Sequence, residues 1–141
     1  AKAAARAMVD TVGEGAILNI SSRSSQQLVS GFTAYGTAKA ALNKITVSLA
    51  AEWAPRVRVN ALSVGAVATR ALDVVMEDDG MRTALEEGTP MGRAGDPTDI
   101  AAAALWLVSP AAAWVTGKIV EVDGGADTSV LALPTPPLEP S

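Results

Sequence analysis

Ala16-Ile17-Leu18-Asn19-Ile20-Ser21 is a short, mostly apolar run, and Ala34 to Trp53 beyond it is a long stretch of helix formers. The run has the length and composition of a buried parallel strand. In the helical stretch, Ala38, Ala41, Leu42, Ile45, Leu49 and Trp53 recur at the spacing of one helix face, and Pro55 stops it. Between the two, Ser22 to Thr33 is rich in Ser, Gln and Gly and reads as a loop. Upstream, Ala1 to about Val12 reads as a helix ended by Gly13-Glu14-Gly15. Downstream, Val57 to Leu62 predicts a second strand, and Val64-Gly65 opens a loop. Leu72 to Glu87 is charged and weakly helical, and Pro90 to Asp96 is a connector. A helix follows from Pro97 to about Val108, with proline suited to its first turn. Lys118 to Val122 is a third strand, closed by Gly124-Gly125. Helices of this length between short apolar strands imply right-handed crossovers and a parallel sheet, the α/β class. Pro134, Pro136, Pro137 and Pro140 mark the end of the chain, so one domain is expected over 1–127 and a proline-rich tail over 128–141.

Composition narrows the chemistry. Cys and His are both absent, which excludes disulfides, cysteine nucleophiles, His-ligated metals and His-based triads, and no metal site is expected. Proton transfer must then use Tyr, Lys, Asp or Glu. The net charge of −4 disfavours nucleic acid and anionic membranes as partners. No apolar stretch is long enough to span a bilayer and no secretory signal is present, so a cytoplasmic location is expected. Glu77-Asp78-Asp79 reads as a solvated loop rather than a metal site, and Trp53, Trp106 and Trp114 as core or interface anchors.

Tyr35 and Lys39 stand four apart on the predicted helix and so share a face. An ammonium beside a phenol favours the ionised phenol, which can exchange a proton with an alcohol or carbonyl. Ser22 closes the first strand, and ligands of open α/β sheets bind outside the carboxyl ends of strands. The loop Val64 to Thr69 leaves the next strand at the same edge, where Gly65 permits close backbone approach. Each feature alone has an ordinary structural reading: a surface pair, a polar loop residue, a turn.

Taken in order, these segments resemble the short-chain dehydrogenase/reductase family. Ile20-Ser21-Ser22 and, thirteen positions after Ser22, Tyr35-Gly36-Thr37-Ala38-Lys39-Ala40-Ala41 look like its serine and Y-x-x-x-K segments. Val57-Arg58-Val59-Asn60-Ala61 is similar to its R-V-N strand, Gly92 to Ala101 to its G-R-x-G-x-P-x-D-I-A segment, and Val115 to Gly125 to its T-G-x-x-x-x-V-D-G-G ending. The resemblance runs from the first helix to about Gly125. It implies a Rossmann-like, doubly wound domain and hydride transfer between NAD or NADP and a secondary alcohol or ketone. By the same resemblance Tyr35 is the general acid/base and also contacts the cofactor, Lys39 holds the nicotinamide ribose and assists Tyr35, and Ser22 polarises the substrate carbonyl. The Val67 backbone and the Thr69 side chain would hold the carboxamide and a nearby phosphate. The segment 72–87, with Leu72, Val74, Val75, Met76, Met81 and Leu85, would form the substrate lid. The first two helices would pack between subunits of a homo-oligomer, a dimer or tetramer.

The chain also departs from the family pattern. Val64 stands where the family usually has proline before the loop glycine. The glycine-rich turn G-x-G-x-x-G appears nowhere, the first helix opens without an N-cap, and three strands are few for such a sheet. These features lead to the expectation that the dinucleotide-binding N-terminal half, with the family's catalytic Asn, lies outside the chain. The isolated chain would then bind NAD(P) very weakly. The alternative reading is a non-catalytic remnant that serves only as an oligomerisation or interaction module.

Overall fold

The computed structural model describes residues 1–127, and the expected proline-rich tail over 128–141 lies outside them. The elements in order are helix α1 (Lys2–Val12), strand β1 (Gly15–Ser22), α2 (Thr33–Trp53), β2 (Val57–Val64), α3 (Asp73–Glu77), α4 (Asp79–Glu87), α5 (Pro97–Val108) and β3 (Ile119–Val122). The three strands form one parallel sheet in the order β1-β2-β3. Gly15 pairs with Val57 and the register runs on to Ser22 with Val64, while Ala61 to Val64 of β2 pair with Ile119 to Val122. Helices cover both faces of the sheet. On one face α1 and α2 bury Ala5, Ala50, Val57 and Val59, with Met8, Val9, Ile17, Leu49 and Trp53 packed around them. On the other, α5 packs Leu107, Ile100, Ala103 and Ala104 against Leu62, Leu18, Val120 and Val122. This is a Rossmann-like parallel sheet with flanking helices.

Polar side chains tie these layers together. Arg58 leaves β2 toward the end of α5, where its Nη1 donates to the carbonyls of Leu107 (2.8 Å) and Val115 (3.2 Å) and its Nη2 to that of Ser109 (3.2 Å). The last carbonyls of a helix have no partner within it, and a cation there also opposes the helix dipole. Asn60, buried two residues on, donates to the Val115 carbonyl (2.8 Å) and accepts from the Lys118 amide (3.0 Å), fixing the approach to β3. The R-V-N strand is thus a clamp on the α5–β3 connection.

The Arg93 to Asp99 segment leads into α5 and forms its first turn. Asp96 accepts from the amide (2.8 Å) and hydroxyl (2.5 Å) of Thr98, Asp99 accepts from the Asp96 amide (2.8 Å), and Pro97 opens the helix. Arg93 pairs with Asp99 at 2.8 Å. Hydrogen bonds from Thr98 hold the Asp96 carboxyl below the usual range, and the bond from Arg93, then that from the Asp96 amide, does the same for Asp99. Groups with lowered folded pKa stabilise the fold above their unfolded pKa, and that contribution is lost as pH falls through the folded value. Thermal melting between about pH 5 and pH 3 should therefore show a smaller acid-induced drop in an Asp96→Asn, Asp99→Asn variant than in the native chain. Equal drops would mean that the cluster does not couple to stability.

Two expectations need correction, and a third, core or interface anchoring by the tryptophans, keeps the core only for Trp53. Both β1 and β2 are longer than expected, and β2 runs through Val64, because Val64 pairs with Val122 and the Gly65 amide still donates to the Val122 carbonyl at 3.0 Å. Glu77-Asp78-Asp79 is not a loop: Glu77 ends α3, Asp79 begins α4, and Asp78 caps it by accepting from the Met81 amide at 2.8 Å. Of the three tryptophans only Trp53 packs on the core. The inner face of α5 is taken by Ile100, Ala103, Ala104 and Leu107, which leaves Trp106 part-exposed and Trp114 fully exposed.

Candidate active site

The carboxyl ends of β1 and β2 open into two adjoining clefts. One, of about 340 Å³, is lined by Ile20, Ser22, Tyr35, Lys39, Val67 and Thr69 among others. All five residues singled out in the sequence therefore meet at one place. The second cleft, of about 330 Å³, shares Ser22, Tyr35 and Val64 and extends over Arg23, Gln27, Phe32, Ala71 and Asp123.

Local chemistry sets each group. Ser22 ends β1, and its oxygen accepts from the Ser24 hydroxyl (2.9 Å) and, more weakly, the Ser24 amide (3.3 Å). With its oxygen engaged, the Ser22 O–H is left to donate outward. The 3-10 turn Arg23–Ser25 that holds Ser24 is pressed onto α2, where a Cβ on buried Gly36 would fall 2.5 Å from the Ser24 carbonyl. Any larger residue beside Tyr35 would push the serine turn away. Asn43 also donates to Ser25 (2.8 Å), and Asn19 of β1 donates to Thr46 (2.9 Å), so α2 is pinned to the strand that carries Ser22.

Tyr35 lies in the first turns of α2, part-exposed, with Phe32 edge-on to its ring at 5.9 Å. One turn later the Lys39 ammonium sits 5.5 Å from the Tyr35 ring centre and donates to the Ile20 carbonyl at 2.9 Å. That bond sets the ammonium at the end of β1, two residues from Ser22. The loop after β2 is held by a bridge in which Gly95 donates to Ala66 and accepts from Ala68, both at 2.9 Å. In such a bridge the flanking residues make the bonds, so the N–H and C=O of Val67 itself point to the opposite side. Gly65 is needed at the start of this loop because a Cβ there would lie 2.7 Å from Asp123 Cα.

Sequence reasoning missed the second cleft's polar wall. Arg23 forms ion pairs with Glu121 and Asp123 of the β3 end, and Gln27 donates to the Ala126 carbonyl at 2.8 Å. These partners are about a hundred residues apart, and no local pattern links them. The expected lid residues contribute less than anticipated. Leu72 and Leu85 turn into the body of the protein and Val74 and Met81 are exposed, while Ala71 and Thr89 at either end of the segment line the cleft.

Residues 1–127 match a protein-family model described as enoyl-(acyl carrier protein) reductase. An uncharacterized oxidoreductase of Mycobacterium tuberculosis is 49% identical over 136 residues, which are 96% of this chain and 52% of that protein. A short-chain type dehydrogenase/reductase from Mycobacterium ulcerans superposes with a TM-score of 0.83 at 35% identity, over 89% of this chain and 46% of the other. A 7α-hydroxysteroid dehydrogenase solved with NADH and 7-oxo glycochenodeoxycholic acid gives 0.82 at 36% identity, over 89% and 49%. The chain spans about half the length of the relatives it matches.

Proposed function

Because the chain belongs to the short-chain dehydrogenase/reductase family, we propose that it carries the catalytic centre of a nicotinamide-dependent oxidoreductase interconverting a secondary alcohol and a ketone. The observation that supports this most is the meeting of Ser22, Tyr35, Lys39, Val67 and Thr69 on one cleft at the carboxyl edge of the sheet. The relative solved with NADH supports a nicotinamide cofactor, NAD or NADP. The residues present fit its nicotinamide-ribose end. Val67 faces its amide and carbonyl away from the Gly95 bridge, as a carboxamide would require, and Lys39 is fixed beside the end of β1. Thr69 stands by for a phosphate oxygen. A glycine-rich turn for the pyrophosphate is not found among the described residues.

When bound, the cofactor supplies or accepts the hydride. In the reductive direction the Tyr35 phenol gives its proton to the carbonyl oxygen as the carbonyl carbon becomes an alcohol carbon, and in oxidation it takes the proton back. Ser22 donates to the same oxygen and fixes its position. Lys39 orients the ribose and places positive charge beside the phenol. The acting form is a cytoplasmic homo-oligomer, a dimer or tetramer.

A second reading, an interaction module without turnover, has the exposed Leu105, Trp106 and Trp114 in its favour. The two readings part in one assay. The gene product that carries these residues is mixed with NADH or NADPH and a panel of cyclic and open-chain ketones, and dihydronicotinamide absorbance is followed. Steady consumption dependent on ketone is expected. Self-association with no consumption on any ketone, and none of the oxidised cofactor with the matching alcohols, would leave only the second reading.

A further inference from the structure

We propose that the second cleft selects a substrate with no anionic group near its reacting carbonyl, because an ion triad of Arg23, Asp123 and Glu121 uses up the cation of its wall. The inference rests on the oxidoreductase reading and adds to it the charge class of the substrate.

Arg23 and Asp123 both line the cleft that Ser22 and Tyr35 open into. Arg23 Nη1 pairs with Glu121, and its Nε pairs with Asp123 at 2.7 Å. The Arg23 and Asp123 side chains are only 13% and 11% exposed, while Glu121 is 48% exposed. Two carboxylates around one guanidinium leave the wall with a formal charge of −1 and its arginine already engaged. A guanidinium is the side chain best suited to receive a carboxylate or phosphate, and here two carboxylates already pair with its Nη1 and Nε and offset its charge.

Among the described residues, the rest of the cleft offers no substitute. Val29, Phe32, Val64, Ala66 and Ala71 are apolar, and Gln27 and the serines are neutral. The neighbouring cation, Lys39, lines the other cleft and is bonded to the Ile20 carbonyl. An anionic group entering here would lose water and meet a wall of its own sign, which works against it in a partly buried site. An uncharged substrate with an apolar body meets no such penalty and covers the apolar side. The carboxylates have a second use, since Asp123 also accepts from the Gly125 amide at 3.0 Å and so shapes the loop that closes the cleft.

The test compares matched ketones in the whole gene product with its cofactor: 4-oxocyclohexanecarboxylate and its methyl ester. The native protein should favour the ester by roughly tenfold or more in kcat/KM. Glu121→Gln and Asp123→Asn each remove one negative charge and free part of the guanidinium, so each should shift the ester-to-acid ratio toward the acid by about tenfold. Glu121→Gln makes the comparison without disturbing the Gly125 bond. Equal or better use of the acid by the native protein, or an unchanged ratio in both variants, would overturn the inference while ester reduction keeps the oxidoreductase reading. Reduction of neither ketone overturns the inference, and with no consumption across the ketone and alcohol panel either it withdraws the oxidoreductase reading as well.

Discussion

Replacing Tyr35 by phenylalanine should lower kcat for ketone reduction by roughly 10²–10⁴-fold, the range expected when a general acid is removed. The substitution deletes one oxygen. The ring that meets Phe32 at 5.9 Å and lies 5.5 Å from the Lys39 ammonium stays in place, and Tyr35 is part-exposed, so packing loses little. Melting temperature should therefore stay close to native, and cofactor affinity should fall by no more than a few-fold because Lys39, Val67 and Thr69 remain. What goes is the only phenol in the chain, which has no histidine or cysteine to take over proton transfer. Residual turnover would come from Ser22 and from holding the reactants together. Steady-state kinetics, a thermal melt and a cofactor titration on one preparation separate the outcomes. A variant within a few-fold of native kcat would remove Tyr35 from the chemistry, whatever its place in the cleft. A large loss of melting temperature alongside the loss of rate would instead make Tyr35 a packing residue.

The site's legibility in the sequence follows from the range of the interactions that build it. Tyr35 and Lys39 lie on one helix, and Ser22 and the Val64 to Thr69 loop leave neighbouring parallel strands at the same end. Helical spacing and strand direction carry such residues to one place without knowledge of side-chain packing. The Arg23 triad is different. Arg23 has to reach past β2 to the end of β3, and only the finished sheet order brings Glu121 and Asp123 within range. The fold divides the same way. The helices α1, α2 and α5 and all three strands were readable from periodicity and from proline and glycine stops. The extra length of β2 was not, because it depends on a ladder partner far along the chain. The Asp78 cap was missed for another reason: an acidic run suggests a solvated loop, while a helix start needs only one of its carboxylates.

Asn60→Ala should destabilise the fold by about 1–3 kcal/mol, the cost of leaving the part-buried Lys118 amide without its partner while Arg58 still holds the Val115 carbonyl. Asn60 is only 2% exposed on the central strand. Its amide serves the Val115 carbonyl and its oxygen serves the Lys118 amide, so one side chain holds both ends of the turn leading into β3. Arg58 partly shares the first task through its 3.2 Å contact with Val115, but the Lys118 amide receives its bond from Asn60. Water cannot easily stand in, because Val59, Ala61 and Leu62 around it are themselves fully buried. The loss should spread beyond stability. The Lys118 carbonyl accepts from the Ala61 amide at 2.8 Å, and four residues on Val122 leads into Asp123, the partner of Arg23 beside Ser22. Loosening the entry to β3 should therefore raise hydrogen exchange at the Ala61 and Gly65 amides and weaken the cleft wall in the same variant. Denaturant unfolding measures the first effect and amide exchange the second. A loss under about 1 kcal/mol with native protection at both amides would mean that the turn holds without Asn60, and that the R-V-N strand depends on Arg58 for its grip on α5.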